Sequence, residues 1–460
     1  MEKIKEYGLG KVLLLGFQHM LAMFGATVLV PILTGLSIPV TLFAAGVGTL
    51  LFHLVTGRKV PVFLGSSFAF LSVIFVVSEM YNGDLAYATG GIMIAGLVYL
   101  VLAALVYFLG VEKVRSLLPP VVTGPIIMVI GLKLVPSAIA NASTNWMLAS
   151  VAILVIIIVS IFLKGFFKLV PILFGLVVSY IVAICMGQVD FGALNTSAWL
   201  QMPDFMLPKF SWAAVLTVAP IAFVTFMEHI GDITTNGAVV GKDFIKEPGL
   251  HRTLIGDGLA TAFAGLIGAP ANTTYSENTG VLAMTKMYNP VVIQIAAVFA
   301  IVLAFIGKFS GFLYTVPISI IGGISMMLYG MIASIGLRTL ADAKLDFTHS
   351  RNLIIVSLIL VVGLGTEISG VAVPAGAVIV MVVGLLLAGF AWSLFSKVIK
   401  NEKAGKVYTL VTVVAIFTAC VVLIVMGAFN TLLGDATVVS GLFLAAVIGV
   451  LLNIILPKTV

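Results

Sequence analysis

Residues 269–286 read APANTTYSENTGVLAMTK and form the most informative polar cluster of the chain. The cluster lies in an apolar region, yet it carries the carboxylate of Glu277 among hydroxyl and amide side chains. An ionisable residue at membrane depth is stable only where it faces protein or water, so it indicates a functional site. Pro270 and Gly280 interrupt a spanning helix, and freed backbone groups are tolerated only where they are bonded internally or line a cavity. The stretch therefore predicts a broken span that faces a small polar solute.

Composition predicts a polytopic membrane protein. Of the 460 residues, 61% are hydrophobic and only 9% are charged, whereas soluble domains have about 25% charged residues. A helix needs about 20 apolar residues to cross a bilayer, and stretches of this length recur along the whole chain, leaving no room for a large soluble domain. The predicted spans lie near residues 12–34, 38–56, 60–80, 86–110, 118–139, 147–164, 169–187, 211–233, 253–268, 270–287, 290–313, 317–338, 352–367, 375–396, 407–429 and 437–456.

The positive charges predict the orientation. If the N-terminus is cytoplasmic, 21 of the 24 basic residues fall on cytoplasmic segments, and only Lys133, Lys209 and Lys308 fall in or near the outer half. Because Lys and Arg concentrate on the cytoplasmic side, this favours two cytoplasmic termini in the cell membrane. The longest outer connection, residues 188–210, is expected to join two halves of the protein.

The two halves resemble each other. LPPVVTGPIIMVIG (118–131) aligns without a gap with VPISIIGGISMMLY (316–329), matching Pro119 to Pro317 and Gly124 to Gly322. The copies enter the membrane from opposite sides, which predicts an inverted repeat with the substrate near the midplane. PVFLGSSFAF (61–70) and GAPANTTYSEN (268–278) form a second pair, each predicted to be an extended piece that starts a half-helix. The alternative is chance similarity between apolar spans.

Three acids are candidates for chemistry. Glu228 and Asp232, in FMEHIGDITT (226–235), are four residues apart and share a helical face; the alternative is that they are solvated at a helix end. Glu277 lies in a different span, so Glu228 and Glu277 can approach one solute from two sides. Ionised carboxylates only accept hydrogen bonds, and helix N-termini favour carbonyl oxygens. This combination suits a planar imide such as a pyrimidine.

Other polar and aromatic residues have two readings. Phe68 and Tyr275 begin the two half-helices, where they are expected either to stack on a flat ring or to pack ordinarily. Tyr329 faces the solute or belongs to the core, and His19 is a proton relay or a structural partner. Asp257 is expected at the cytoplasmic start of a helix.

Cys185 and Cys420 lie in apolar runs and indicate neither a disulfide nor a metal site. With no catalytic, metal or cofactor motif, the sequence predicts a transporter and not an enzyme, without a nucleic-acid partner.

The chain resembles the nucleobase-ascorbate transporter family, and within it the branch of bacterial uracil permeases. The resemblance covers nearly all of residues 12–396 and is carried by these motifs: QHMLAMFGATVLVPILTGL (18–36), GRKVPVFLGSSFAFLS (57–72), MEHIGD (227–232), EPGLHR (247–252), NTTYSENTGVLAMTK (272–286) and PISIIGGISMMLYGMIASIGLRTL (317–340).

The resemblance implies an all-α, fourteen-span transporter of two inverted seven-span repeats, with short strands in broken spans three and ten. The implied transporter domain, residues 1–396, comprises a core (about 12–110 and 211–313) and a gate (about 118–187 and 317–396). Such proteins resemble proton symporters that form homodimers through the gate. Residues 397–460, a basic loop and two more apolar stretches, extend beyond this pattern as a predicted extra hairpin.

The resemblance also implies roles for single residues. Glu228 and Glu277 match the substrate-binding acids, Phe68 and Ser276 match positions that offer backbone groups, and Tyr275 and Tyr329 match aromatic positions near the substrate. His19 matches a residue linked to proton coupling. Glu228 is a candidate for coupling on its own residues, because a carboxyl that follows an apolar run is poised to gain and lose a proton. Asp232 is a further candidate for coupling, although it stands where uracil permeases typically have His.

The expected function is therefore proton-coupled uracil import. Uracil carriers of this family typically have Glu at the position of Glu277, whereas many purine and ascorbate carriers have Gln. A glutamate accepts from ring N–H groups and presents no amide donor that must itself be satisfied. The alternatives are a xanthine or hypoxanthine permease and a passive channel for small solutes.

Overall fold

The computed structural model describes residues 8–369, 373–374, 438–439 and 441–456. The predicted spans at 375–396 and 407–429 lie outside these residues. Within the described part of the chain, six helices are long and apolar enough to cross a membrane. By its internal contacts the chain divides into two compact units, with the described parts of residues 1–111 and 134–331 in the first and those of 112–133 and 332–460 in the second. The predicted boundaries of core and gate stay a prediction.

The elements of the first unit are mostly helices that overlap the predicted spans, although the helix Ile221–Val240 continues past the predicted end at residue 233 and the short helix Gly192–Thr196 lies in the predicted connection 188–210. In chain order they are α1 (Leu9–Thr34), α2 (Ile38–Val55), β1 (Leu64–Ser66), α3 (Leu71–Met80), α4 (Ala86–Leu109), α7 (Val135–Ser143), α8 (Trp146–Phe162), α9 (Pro171–Cys185), α10 (Gly192–Thr196), α11 (Trp212–Val218), α12 (Ile221–Val240), α13 (Leu250–Leu266), β2 (Asn272–Thr274), α14 (Ser276–Thr285), α15 (Pro290–Ala304) and α16 (Gly307–Tyr314). Phe68–Phe70 forms a 3-10 turn between β1 and α3.

The second unit contains fewer described elements. They are α5 (Val111–Leu117), which begins at the boundary, α6 (Pro120–Leu132), α18 (Ser350–Ser369), β3 (Val373–Pro374), β4 (Val438–Val439) and α19 (Gly441–Ile455), while α17 (Ile318–Asp342) continues from the first unit into the second. The two copies of the predicted repeat lie on α6 and α17, and each helix follows its aligned proline, Pro119 or Pro317, within one residue.

Local sequence explains where several helices begin and end. Ser37 caps α2 by accepting a hydrogen bond from the backbone N–H of Val40, and α1 ends at Gly35, whose φ of 79° is a left-handed conformation that glycine adopts without strain. Pro220 separates α11 from α12, since proline cannot donate the backbone hydrogen bond that a continuous helix needs there.

The two interrupted segments meet in a short antiparallel strand pair. β1 pairs with β2 in the register Leu64 to Thr274, Gly65 to Thr273 and Ser66 to Asn272. Further backbone bonds extend the pair, from Ser67 N–H to the Ala271 carbonyl and from Tyr275 N–H to the Phe63 carbonyl. The pair therefore satisfies backbone groups that the broken helices leave without intrahelical partners. We call residues 63–67 and 271–275 the crossover.

Helices around the crossover approach one another closely. α13 packs against α4 and α2, and a Cβ at Gly258 would lie 2.6 Å from the Cβ of Tyr99 on α4. A Cβ at Gly96 or Gly265 would likewise collide with backbone of the facing helix. Small residues allow this contact between helix backbones, which is the usual source of helix association in membranes.

The connection at residues 188–210 is hydrogen-bonded to the ends of several helices of the first unit. Backbone bonds run from Lys209 to Ala86, from Met206 to Ile267 and from Gln201 to Phe305. The Lys209 ammonium also lies 2.7 Å from Asp84, and this hydrogen bond lowers the pKa of the Asp84 carboxyl. The connection is thus an ordered strap across the unit.

The last described helix belongs to the interior of the second unit. α19 packs against α18 and α6, a Cβ at Gly449 would lie 2.5 Å from Ile359, and Arg351 donates a hydrogen bond of 3.0 Å to the Asn453 carbonyl. The predicted extra hairpin included this helix, and its other span, 407–429, lies outside the described residues.

We predict that Gly65→Ala disrupts the crossover. A Cβ at Gly65 would lie 2.5 Å from Thr27 Oγ1 and 2.6 Å from the Tyr275 ring, and overpacking of this kind costs about 1–3 kcal/mol. Thermal unfolding of the purified protein in detergent should show a lower Tm. Gly10→Ala is the control, because a Cβ there meets nothing within 4 Å; an equal Tm for the two variants would contradict the prediction.

Candidate functional site

Two half-helices start beside the crossover. α3 follows β1 after the turn that begins at Phe68, and α14 follows β2 directly, beginning at Ser276. Glu277 is therefore in the first turn of α14. The first N–H groups of a helix have no intrahelical acceptor, and the helix dipole favours negative charge at this end. The N-terminus of each half-helix therefore lies next to the strand pair.

The structure brings the three predicted acids together. Glu228 and Asp232 lie one turn apart on α12, and the Glu228 carboxyl interacts electrostatically with both Asp232 and Glu277. Glu228 and Asp232 are half-buried, and Glu277 is exposed. The predicted pair of acids from two spans is therefore a spatial cluster that a solute can reach.

Asp232 has a defined structural partner. Its Oδ2 accepts a hydrogen bond of 2.7 Å from Thr274 Oγ1, and its Oδ1 accepts one of 2.6 Å from Ser276 Oγ. Both donors flank the junction of β2 and α14, so the carboxylate ties α12 to the start of the half-helix. The alternative that Asp232 is merely solvated is wrong, and the Ser276 hydroxyl is engaged by Asp232.

The aromatic residues occupy two different positions. The rings of Phe68 and Tyr329 lie edge to face, with centroids 6.1 Å apart and an interplanar angle of 76°. Tyr275 is buried, and its hydroxyl donates a hydrogen bond of 2.8 Å to the Ser66 carbonyl across the crossover. Tyr275 therefore braces the strand pair. Contact of any of these rings with a solute stays a prediction.

His19 connects α1 to the half-helix that carries Glu277. It is fully buried, and Asn278 Nδ2 donates to its backbone carbonyl at 2.9 Å and lies 3.2 Å from its Nδ1. An amide NH₂ only donates, so Nδ1 accepts and the ring proton of the neutral imidazole is on Nε2. The structure thus supplies a structural role for His19, and its link to proton coupling stays a prediction.

Sequence reasoning missed Asn236. Its Nδ2 donates at 3.1 Å both to the Pro61 carbonyl and to Thr279 Oγ1, so one side chain of α12 holds the segment before β1 and the half-helix α14. The signal was available, because Glu228, Asp232 and Asn236 recur every four residues and therefore share one helical face.

The sequence suggested that Asp257 lies at the start of a helix, and this prediction is wrong. Asp257 is fully buried in the middle of α13, and its Oδ2 lies 3.1 Å from Nδ1 of His229, which is also fully buried. The expectation failed because the preceding EPGLHR segment forms a turn at Ile245–Gly249 and α13 already begins at Leu250. No group of three or more His, Cys, Asp or Glu with the arrangement of a metal site occurs among the residues described.

Long apolar helices, two half-helices that meet in a strand pair and an accessible acid cluster define a polytopic membrane transporter. Residues 10–369 match the family described as the Permease family, Xan_ur_permease. The chain belongs to this family, which confirms the resemblance found in the sequence, and it is a transporter and not an enzyme.

Relatives and a solved structure agree with this assignment. The chain is 43% identical over 359 residues to the probable uracil permease of Haemophilus influenzae, covering 76% of this chain and 86% of that protein. It is 43% identical over 399 residues to the uracil permease of Bacillus subtilis, covering 80% and 90%. The transmembrane domain of the bicarbonate transporter BicA of a cyanobacterium has the same fold, with a TM-score of 0.62 at 16% identity over 77% of this chain and 95% of that one.

We predict that Asp232 and Ser276 are energetically coupled. A hydrogen bond to a charged group contributes about 1.5–3 kcal/mol, so a double-mutant cycle of Asp232→Ala and Ser276→Ala should give a coupling energy of about 1 kcal/mol or more. Thermal unfolding of the purified variants measures it.

The control cycle pairs Ser276→Ala with Thr234→Val. Thr234 is exposed on the same helix, and its hydroxyl donates only to the Ile230 carbonyl. This pair should be additive. Additivity of the Asp232 and Ser276 pair to within about 0.5 kcal/mol would contradict the bond.

Proposed function

We propose that the protein imports uracil together with a proton. The observation that carries the proposal is the cluster of Glu228 and Glu277 beside the N-termini of two half-helices. The names of the curated relatives, which are uracil permeases of bacteria, support the choice of solute.

The chemistry of uracil fits the donors and acceptors of the cluster. Its ring has two N–H groups and two carbonyl oxygens. Carboxylates accept from N–H groups, and N–H groups in the first turns of α3 and α14 donate to carbonyl oxygens. Glu277, exposed in the first turn of α14, accepts from the ring, with backbone groups of Phe68 and Ser276 beside it. Phe68, Tyr275 and Tyr329 bound the flat faces of the ring.

Proton coupling is assigned to Glu228. It is half-buried on α12 beside two other acids, and repulsion between carboxylates favours holding one proton within such a cluster. Uracil binding and protonation at one site then favour each other. Asp232 supports this site as a positioning residue, because its two oxygens are engaged by hydroxyl groups, and His19 holds the half-helix through Asn278.

Transport follows by alternating access, with the core (12–110 and 211–313) moving against the gate (118–187 and 317–396). The fold of transporters with inverted repeats supports this mechanism. The protein is placed in the cell membrane with fourteen spans in the transporter domain and both termini in the cytoplasm, which the distribution of Lys and Arg supports. A homodimer formed through the gate completes the proposal.

Radiolabelled uracil uptake into proteoliposomes tests the function. An inward proton gradient should accelerate uptake, and an ionophore that removes the gradient should abolish the acceleration. Equal uptake with and without the gradient would refute coupling. Trans-stimulated exchange separates a carrier from a passive channel, and inhibition by xanthine or hypoxanthine at concentrations that match unlabelled uracil would favour a purine carrier.

Two substitutions test the site. Glu277→Gln exchanges an acceptor for an amide that also presents donors, so uracil affinity should fall about tenfold or more, the loss expected for one charge-assisted hydrogen bond. Glu228→Gln cannot exchange a proton and should lose gradient-driven uptake. Calorimetry measures the affinity, and uptake measures the coupling.

The matched control is Glu79→Gln. Glu79 is exposed near the C-terminal end of α3, the other half-helix, and its substitution should change neither affinity nor uptake. Wild-type uracil affinity in Glu277→Gln together with wild-type gradient response in Glu228→Gln would remove the assignment of both acids.

A further inference from the structure

A second group of ionisable side chains lies on a different face of the helix that carries Glu228. His229 follows Glu228 directly, and consecutive side chains of a helix diverge by about 100°. His229 and Asp257 are fully buried between α12 and α13, with Nδ1 of the imidazole 3.1 Å from Oδ2 of the carboxyl. Nε2 of His229 lies 3.0 Å from Oγ1 of Thr253, one turn before Asp257 on α13. The proposed transport mechanism uses none of these three residues.

The Thr253 hydroxyl determines the tautomer of His229. A hydroxyl has one hydrogen, and that of Thr253 is donated to the Leu250 carbonyl at 2.9 Å, since a carbonyl can only accept. Thr253 Oγ1 therefore accepts from His229, and Nε2 carries a proton. The opposite nitrogen, Nδ1, is left facing Asp257 Oδ2.

The 3.1 Å separation of Nδ1 and Oδ2 leaves room for one shared proton between them. With it the pair is neutral overall, either as imidazole and carboxylic acid or as imidazolium and carboxylate. Without it the pair would carry a full negative charge, and neither Nδ1 of His229 nor either carboxyl oxygen of Asp257 has a hydrogen-bond partner among the residues that the structure describes. An uncompensated charge in a fully buried place is costly, so the pair with a single shared proton is the favoured state.

The pair is also electrically linked to the acid cluster. The carboxyl of Asp257 interacts with those of Glu228 and Asp232, so the charge state of the pair influences Glu228. The elements that pack against α12 and α13 carry further titratable or charged groups: Tyr87, Tyr99 and Tyr107 on α4, His53 on α2, Glu277 on α14, Lys246 and Glu247 in the turn before α13, and His251 and Arg252 at the start of α13.

We propose that His229 and Asp257 share one buried proton, with Thr253 fixing the tautomer, and that this neutral pair positions Glu228 and sets the pH range of transport. His229 and Asp257 are positioning residues, because they act through Glu228. The proposal rests on the proposed function for its transport readout, while the protonation of His229 can be measured without substrate.

The first experiment measures the protonation directly. Nitrogen NMR spectra of the purified full chain with ¹⁵N-labelled histidine should contain, besides those of the buried His19 and His53, an imidazole with a protonated Nε2 whose two nitrogen signals stay constant between about pH 5 and pH 8, the range in which a free imidazole titrates. Its signals should change in both Asp257→Asn and Thr253→Val, which assigns them to His229. An imidazole at this site that titrates like free histidine, or that carries its only proton on Nδ1, would overturn the proposal.

The second experiment measures transport in proteoliposomes. Asp257→Asn preserves size but cannot share a proton as a carboxyl does. We expect its uracil affinity to stay within about threefold of the parent protein, its gradient-driven uptake to fall about tenfold or more, and the midpoint of its pH profile to move. Thr253→Val should impair uptake, and Thr253→Ser should restore it because the hydroxyl returns. Thr234→Val on α12 is the control and should leave uptake unchanged.

Two results would overturn the positioning role. One is a parent-like rate and pH profile in both Asp257→Asn and Thr253→Val. The other is a proportional loss of Tm, affinity and uptake in Thr253→Val and Thr253→Ser alike, which a merely structural contact produces. Failure of the proposed function is distinguishable, because the parent protein would then show no response to the gradient while the histidine spectra would still report the shared proton.

Discussion

The structure depends on how the broken helices satisfy their backbone. In an apolar interior an unpaired N–H or C=O group is costly, and two spans stop short at the crossover. The strand pair supplies most of the missing partners, and side chains add others: Thr49 bonds both backbone groups of Leu64, and Ser66 Oγ donates to the Thr27 carbonyl. A polar site inside a membrane protein is possible here because the backbone groups at each helix break form hydrogen bonds with the strand at the other break.

The three acids of the cluster differ in what surrounds them. Asp232 is held by two hydroxyl donors. In the part of the chain that the structure describes, no side-chain hydrogen bond of this kind holds Glu228. The three acids therefore differ in role. Asp232 fixes the distance between α12 and the half-helix α14, whereas Glu228 and Glu277 remain available to a solute and a proton.

Helix α12 combines a polar face with a buried pair. Glu228, Asp232 and Asn236 line one face, which contacts the crossover and α14, while His229 points to α13 and Asp257. The glycines Gly96 and Gly258 bring α13 and α4 into close contact. The same packing that stabilises this unit therefore also fixes the position from which Asp257 reaches His229.

The sequence alone determined the class of protein, most helix boundaries and the candidate acids. Apolar stretches of bilayer length, Pro and Gly interruptions and carboxylates inside apolar runs are local features, so they are readable without a structure. The polar residues of α12 recur every four positions, at Glu228, Asp232 and Asn236, which is also a local feature. The sequence prediction did not include Asn236, because amide side chains are often solvated.

Tertiary structure decided which polar groups are partners. Asp232 and Ser276 are separated by 44 residues in the chain, and no periodicity relates Asp257 to His229, so neither contact has a local signature. The sequence places Asp257 close to a turn and a helix start, which is typical of a solvated aspartate, whereas packing of α13 against α12 buries it beside an imidazole. Local sequence specifies the helices and their breaks. The pairing of charged groups depends on which helix faces are in contact, and only the packing of the helices in three dimensions determines those contacts.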